Sequence, residues 1–510
     1  MPRSFATILR EHAARSPNAP ALTCDDETWT FAELDARTSR SARALLAEGV
    51  GQGDRVAILA RNCAEFYELI LASSKIGAIV VGINWRLSAP EIEAIVADAR
   101  PAIIFTGNAG ERDLLSEAAR NSPGLRRIVT IGEDFPSWKA AVSADDPGHD
   151  GAPDDVAMIL YTSGTTGLPK GVMLTNRGLS HTRRLGGEIW GMGPDSVNLV
   201  AMPLFHIGGS GYGSSTLLVG GHTIVMREVN PAQIVRTIER RRVTHAFFVP
   251  TVVQSLLEVP GVDEADLSSL KLLMYGASPI GETLLEKALA VLRCDFMQAY
   301  GMTETSGTVV VLVPEDHRLD EGGRERLRSC GRAVPFAEIR ITDPVTFDPC
   351  PDGSVGEIWI RSDMVMQGYW QNPRATAETI MPGGWLRTGD AAYSDADGYI
   401  YLFDRFKDMI ISGGENVYPA EIENVLLSHP AVSEAAVIGV PHQRWGETPK
   451  AIVVPREGES LTEHDLIAYA RTRLARYKCP TSVAFIDMLP RNASGKLLKR
   501  ELRRMYLQTE

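Results

Sequence analysis

The sequence lacks the marks of several protein classes, and each lack narrows what the chain can be. Its 510 residues include six cysteines, Cys24, Cys63, Cys294, Cys330, Cys350 and Cys479, none in a CxxC pair and none in His-rich company. Zinc and disulfide readings are both unsupported, and buried or inert thiols are expected. Long apolar runs are also missing: the most apolar window, 69–83, is broken by Lys75 and is too short to span a bilayer. Met1-Pro-Arg-Ser-Phe leads into a charged amphipathic stretch in place of the apolar core of a secretory signal. A cytoplasmic protein without integral membrane association is expected. Net positive charge is absent too, and at −12 the whole chain is a poor partner for nucleic acid.

That charge is unevenly spread. In 471–510, ten cations (Arg471, Arg473, Arg476, Lys478, Arg491, Lys496, Lys499, Arg500, Arg503 and Arg504) stand against Asp487, Glu501 and Glu510, leaving +7. The stretch reads either as a solvated basic helix or as a patch for a phosphorylated ligand.

What is present is ordinary for a globular enzyme. An apolar fraction of 44% with 23% charged residues argues against long disorder or a fibrous repeat. The length exceeds the ~250–300 residues at which one core stops growing, so two or more domains are expected. Strand-like β-branched runs at 55–60, 102–106, 127–131, 156–161, 222–226 and 245–249 alternate with amphipathic segments. That is the pattern of a parallel or mixed sheet covered by helices. Over 332–401 it changes to short strands with Gly and Pro turns, which predicts a compact all-β subdomain. After the polar junction DRFKD (404–408), Pro419 opens a helix, apolar runs follow at 432–440 and 451–454, and helices are predicted over 462–476 and 497–505. These make a small α+β domain.

The densest chemistry lies in YTSGTTGLPKG, 161–171. A P-loop requires GxxxxGK[ST] opening a helix. Here Gly164 and Gly167 are three apart, Pro169 precedes Lys170, and Gly171 follows, so the spacing fails. Residues 172–174 predict a second strand and Thr175 the cap of a helix from Asn176. Phosphate binding survives this failure. Thr162, Ser163, Gly164, Thr165, Thr166 and Gly167 can turn N–H groups and hydroxyls toward phosphate oxygens, and Lys170 adds a point charge.

This stretch resembles the phosphate-loop signature of the adenylate-forming superfamily of acyl-CoA synthetases, peptide-synthetase adenylation domains and beetle luciferases. Later segments resemble the family's other motifs in order: MPLFH (202–206), YGAS (275–278), QAYGMTE (298–304), WLRTGD (385–390), YLFDRFKDMIISGGENVYPAEIE (401–423) and PRNASGK (490–496). The match covers nearly the whole chain. It implies an α/β fold: a large N-terminal domain (1–404) with two helix-covered mixed β-sheets and a small β-subdomain, a hinge at 405–408, and a mobile small α+β C-terminal domain (409–510).

It also implies the chemistry and its residues. A carboxylate attacks the α-phosphorus of ATP, and the thiol of coenzyme A then attacks the acyl-adenylate. By resemblance Glu304 holds Mg²⁺, with Thr165 beside it, and Thr303 contacts the α-phosphate. Tyr300 lies against adenine, with Gly276, Ala277, Ser278, Gly301 and Met302 also in the nucleotide site. Asp390 accepts the ribose hydroxyls, assisted by Arg405. Lys496 is the mobile lysine of adenylation and Lys407 the hinge pivot. Gly413 and Gly414 let the pantetheine arm pass close to backbone. The acyl pocket is expected from His206, Tyr212, Val249, Ala299 and Gly307, with His206 as gate or polar contact. These segments offer no cation for a second carboxylate and no Asp for an α-amino group. A medium- to long-chain fatty acid is the favoured substrate and an aryl or arylpropanoid acid the alternative. A carrier protein in place of coenzyme A and a homodimer are left open, a light-emitting role is disfavoured, and intact Lys170, Glu304, Asp390 and Lys496 argue against a regulatory protein without catalysis.

Overall fold

The computed structural model describes residues 4–162, 169–277, 280–317, 321–405, 408–412, 415–443, 445–459, 461–491 and 497–507. The predicted alternation resolves into two large mixed sheets. In the nine-stranded sheet, parallel strands Val197–Val200, His245–Phe248, Leu272–Gly276 and Asp295–Met302 lie side by side, and Gly307–Leu312 folds back antiparallel on the last. In the seven-stranded sheet, Ile79–Ile83 pairs in parallel with Val156–Thr162, which turns back into Lys170–Thr175. Strands covered on both faces need continuous apolar runs, and all five residues of Ile79–Ile83 are buried.

The two-residue period of a strand divides the nine-stranded sheet between two cores. Leu199, Ala246, Phe248, Leu273 and Tyr275 face helices Pro231–Arg241, Pro250–Leu257 and Glu282–Leu292. Val200, Leu272 and Met274 face the other way, into the core that includes Tyr212 and Leu217 of helix Ile207–Val219. This division decides which side chains can reach a site on the second face.

The expected fold class is the observed one, with corrections in detail. The 332–401 region holds an antiparallel five-stranded sheet, Glu338–Thr342, Gly356–Arg361, Trp385–Ser394, Ile380–Met381 and Ile400–Arg405. It is not all-β, because helix Pro373–Thr379 interrupts it. Asn372 caps that helix by accepting from Ala375 N at 3.0 Å, and Pro373 opens it, so a dipeptide that reads as a turn here starts a helix. Strand Gly368–Tyr369 leaves the subdomain altogether and pairs with Met173 and Val172.

The residues after 408 form their own five-stranded sheet with helices Pro419–Leu427, Glu463–Arg471 and Lys499–Leu507. The helix predicted to reach 476 ends at Arg471, and Leu474 packs back onto the small core. The last helix starts two residues later than predicted, because Leu497 bridges Arg491. Four of the tail's cations are tied to carboxylates. Lys478 pairs with Glu421 at 2.8 Å, Arg491 with Glu434 at 2.5 Å, Lys499 with Glu423 at 2.9 Å and Arg503 with Asp408 at 2.7 Å. All four carboxylates come from earlier in the chain, where a linear charge count does not look.

Among the described residues no helix is long and apolar enough to cross a membrane. The 69–83 window contributes to helix Ala64–Ser74 and strand Ile79–Ile83, and Lys75 between them is buried on Asp35 at 2.6 Å and Asp146 at 2.5 Å. All six cysteines are free, and burial pushes the Cys24 thiol up to about 11, leaving it unreactive near neutrality.

Candidate active site

The ends of the phosphate loop are held by a ladder. Tyr161 pairs with Gly171 and Thr162 with Lys170; Ser163, Gly164, Thr165, Thr166 and Gly167 lie outside the described residues. The ladder is itself tied down. Tyr161 donates its hydroxyl to Asp98 Oδ2 at 2.6 Å, Trp370 N donates to Gly171 O at 2.7 Å, and Trp370 Nε1 donates to Asp98 O at 3.1 Å. A Cβ at Gly171 would stand 2.9 Å from Ile159 Cγ2, so the crossing of strand and tryptophan needs glycine. Thr175 caps helix Asn176–Arg184 by accepting from Gly178 N at 3.2 Å, as the sequence predicts.

Two sheets bring the next pair together. Tyr300, on strand Asp295–Met302, donates its hydroxyl to Asp390 Oδ2 at 2.7 Å. Asp390 is fixed from below: its N–H donates to Thr388 Oγ1 at 3.0 Å, and Gly389, at φ +73°, donates to Glu357 Oε1 at 3.0 Å. Burial, and then the neighbouring carboxylate, hold the Tyr300 hydroxyl well above its ordinary value, so it stays a neutral donor. Ladder register sets Asp390 opposite Arg405, whose side chain lies outside the described residues.

Thr303 and Glu304 form a buried 3₁₀ turn directly after the Tyr300 strand. Met366 N donates to Glu304 O at 2.8 Å, and Tyr369 donates its hydroxyl to Glu304 Oε1 at 3.0 Å. Lys170 Nζ stands 5.0 Å from the centroid of the Tyr369 ring. Tyr369 therefore touches both the lysine and the carboxylate, and the sequence reading missed it. Its only cue was GYW at 368–370, submerged in the all-β reading. Glycine permits close strand crossings nearby: a Cβ at Gly301 would lie 2.0 Å from Gly307 O, and one at Gly276 2.2 Å from Ala299 O. Ala277 holds φ +64° without glycine's freedom. Met302 leads into the Thr303 turn, and Ser278 lies outside the described residues.

The acyl residues divide. His206 caps helix Ile207–Val219, its Nδ1 accepting from Gly208 N at 3.1 Å. Gly307, at φ +119°, lies against Ile207, and Ala299 is buried beside Gly276. Tyr212 donates its hydroxyl to Asn198 Oδ1 at 2.7 Å, with its ring 5.4 Å from Trp190 and 5.5 Å from Phe247. Val249 is not with them. The strand ends at Phe248, and Val249 turns into the opposite core with Val252 and Val253. Phe247 instead lies beside Tyr212, 3.4 Å from where a Gly208 Cβ would stand and 3.5 Å from a Gly276 Cβ. Lys407, Gly413, Gly414 and Lys496 lie outside the described residues.

Among the described residues no group of three or more His, Cys, Asp or Glu could hold a metal ion. A buried single carboxylate such as Glu304 suits Mg²⁺, which takes its remaining ligands from phosphate and water.

A buried carboxylate, a stacking-capable tyrosine next to a second carboxylate, and a lysine at a phosphate loop mark a nucleotide-using enzyme. Residues 9–370 match the AMP-binding enzyme family model, and 421–496 match the AMP-binding enzyme C-terminal domain. The chain is 40% identical over 501 residues to the fatty acid–[acyl-carrier-protein] ligase ScoC of Streptomyces coeruleorubidus, covering 96% of this chain and 94% of that one. It is 40% identical over 499 residues to a feruloyl-CoA synthase of an Amycolatopsis species, covering 97% of each. ATP-bound MatB from Rhodopseudomonas palustris matches it with a TM-score of 0.92 at 31% identity over 99% of both chains. The chain belongs to the AMP-binding enzyme family and is an AMP-forming acid–thiol ligase using ATP and coenzyme A.

Proposed function

We propose that the protein activates a hydrophobic monocarboxylic acid, a medium- to long-chain fatty acid in first preference, and passes the acyl group to coenzyme A. In the first step the acid's carboxylate oxygen bonds to the α-phosphorus of ATP and the bond to pyrophosphate breaks. In the second the thiol sulfur bonds to the acyl carbon, AMP leaves with the electron pair of the acyl–oxygen bond, and the thiol proton passes to solvent.

The observation that carries this reading is the meeting of Tyr300 with Asp390 and of Tyr369 with both Glu304 and Lys170, drawing on three separate sheets. Tyr300 supplies a ring for adenine, and Asp390 supplies carboxylate oxygens for ribose hydroxyls. Glu304 would hold Mg²⁺, which supplies neutralisation of phosphate charge. Lys170 and the loop 163–167 would orient the phosphates, and Thr303 would meet the α-phosphate. Lys496 would be the cation at the attacking and bridging oxygens. Residues 1–404 and 409–510 would act as two bodies about 405–408, with Gly413 and Gly414 lining the thiol's approach.

The apolar wall of Tyr212, Phe247, Trp190 and Ala299 supports a hydrophobic acid. Its aromatic character keeps an aryl acid as the second reading. Coenzyme-A-dependent AMP release across fatty, aryl and short acids tests both. Release with medium- and long-chain acids is expected; AMP release with short acids alone would refute the pocket, and none with any acid would refute the ligase.

A further inference from the structure

The apolar wall at Tyr212 carries unspent hydrogen-bond donors. Asn198, His245 and Phe247 project from one face of the nine-stranded sheet, since Asn198 and His245 are register partners and Phe247 lies two residues on. On that face the Tyr212 hydroxyl takes up Asn198 Oδ1 at 2.7 Å, and the Trp190 ring leans on Tyr212 at 5.4 Å. His245 Nε2 lies 3.0 Å from the Trp190 carbonyl oxygen and fixes that residue's backbone.

Trp190 Nε1 and Asn198 Nδ2 have no hydrogen-bond partner among the described residues, although Trp190 is 5% exposed and Asn198 wholly buried. Turning the Asn198 amide over would leave one of its N–H groups, and the Tyr212 O–H, unspent instead. Native proteins pair the large majority of such buried side-chain groups, and each unpaired one costs stability. Two beside one tyrosine, on the wall proposed for the acyl group, leave room for an acceptor that no described residue supplies.

We infer that the acid this enzyme prefers carries an oxygen acceptor, a hydroxyl, ether or keto group, at the end remote from its carboxylate, received by Trp190 Nε1 and Asn198 Nδ2. The inference rests on the ligase reading and deepens it. A path for the chain is given by Phe247, which touches the Gly276–Ala299 side of the site and Tyr212 at once. No cation stands among these contacts, so a second carboxylate is the wrong acceptor, and a neutral oxygen is the right one.

The test compares AMP release, as kcat/KM, for acids matched in length and differing only at the far end. One series sets 12-hydroxydodecanoic against tridecanoic acid and shorter homologues of each. The other sets 4-hydroxy- and 4-methoxycinnamic against 4-methylcinnamic acid. Two hydrogen bonds made only with the oxygenated member predict a preference of about 30-fold in one series, and the favoured series tells an aliphatic from an aryl source. Trp190→Phe should cut that ratio about fivefold. Equal or better use of the plain acids in both series would overturn the inference while leaving the ligase intact. So would a ratio unchanged in Trp190→Phe. Absence of AMP release with every acid would instead refute the ligase reading itself.

Discussion

The nucleotide end and the acyl end of the site treat their polar groups in opposite ways. At the proposed nucleotide end the side chains are held in pairs: Tyr300 with Asp390, Glu304 with Tyr369, Asp390 with Thr388, and Tyr161 with Asp98. At the proposed acyl end two buried donors beside Tyr212 have no partner among the described residues. Groups that must meet the same nucleotide at every turnover gain from being fixed beforehand, because preorganised dipoles need no rearrangement as charge develops. Groups that choose among acids gain from being left unsatisfied, because the wrong acid then leaves them so.

The largest effect should come from Lys496→Ala. Loss of a cation at the attacking and bridging oxygens should lower adenylation, measured as pyrophosphate exchange into ATP, by at least about 10²–10³-fold. Conversion of a synthetic acyl-adenylate to thioester should stay within a few-fold of wild type. Equal losses in both halves would remove Lys496 from the first step and break the assignment of two poses about 405–408.

Next in size is Tyr369→Phe, which deletes the hydroxyl on Glu304 and keeps the ring facing Lys170. A hydrogen bond to a charged group is worth about 1.5–3 kcal/mol, so kcat/KM for ATP should fall roughly 10- to 100-fold. The Mg²⁺ concentration for half-maximal rate should rise, while KM for the acid stays put. If acid KM moved as much as ATP KM, the contrast between the two ends would not extend to Tyr369.

How much of this was legible in the sequence follows the same division. The nucleotide residues sit in short motifs whose residue types serve phosphate, ribose and adenine directly, so Tyr300, Asp390 and Glu304 could be singled out before any fold was known. The alternation of strand-like and helix-like runs gave the sheets, because strands buried on both faces must be apolar throughout. Tyr369 escaped because its work depends on strand Gly368–Tyr369 crossing from one sheet to another, a pairing with no local signature. The acyl end was less legible for a related reason. Phe247 and Val249 look alike in sequence, and the end of the strand at Phe248 decides which faces Tyr212. Trp190 and Asn198 lie in no motif, and only the fold sets them on either side of Tyr212. Four cations of the basic tail have acidic partners that a linear charge count does not see, 57 to 95 residues away along the chain.

Histidines bring pH into the comparison. Burial first, opposed by the Trp190 carbonyl and reinforced by Lys271, depresses His245 to about 4, and burial with Arg241 depresses His222 to about 4. Both values lie below the ordinary 6.5, so the stability they confer is complete above about pH 6.5 and is lost as pH falls toward 4. Each unit of pH within that window should remove up to about 1.4 kcal/mol per histidine. Thermal melts from pH 8 to 4 should show a plateau and then a fall, shallower in His245→Gln. Because His245 supports Trp190 and charges in the folded protein only near pH 4, acid selectivity should loosen toward pH 4 before ATP binding does.

The smallest effect concerns Ala277, which occupies φ +64° straight after strand Leu272–Gly276. A side chain there costs about 1 kcal/mol that glycine would not. Ala277→Gly should relieve this, offset by about 0.4–1 kcal/mol from the greater freedom of the unfolded chain. Stability should therefore change by less than about 1 kcal/mol, read as a Tm within a few degrees of wild type. Activity should move differently. If the strained turn holds the nucleotide end in place, KM for ATP should rise several-fold at unchanged or higher Tm, with the oxygenated-to-plain acid ratio untouched. A variant that shifted the acid ratio and spared KM for ATP would show that the turn at Ala277 belongs to the acyl end, where choice of acid is made.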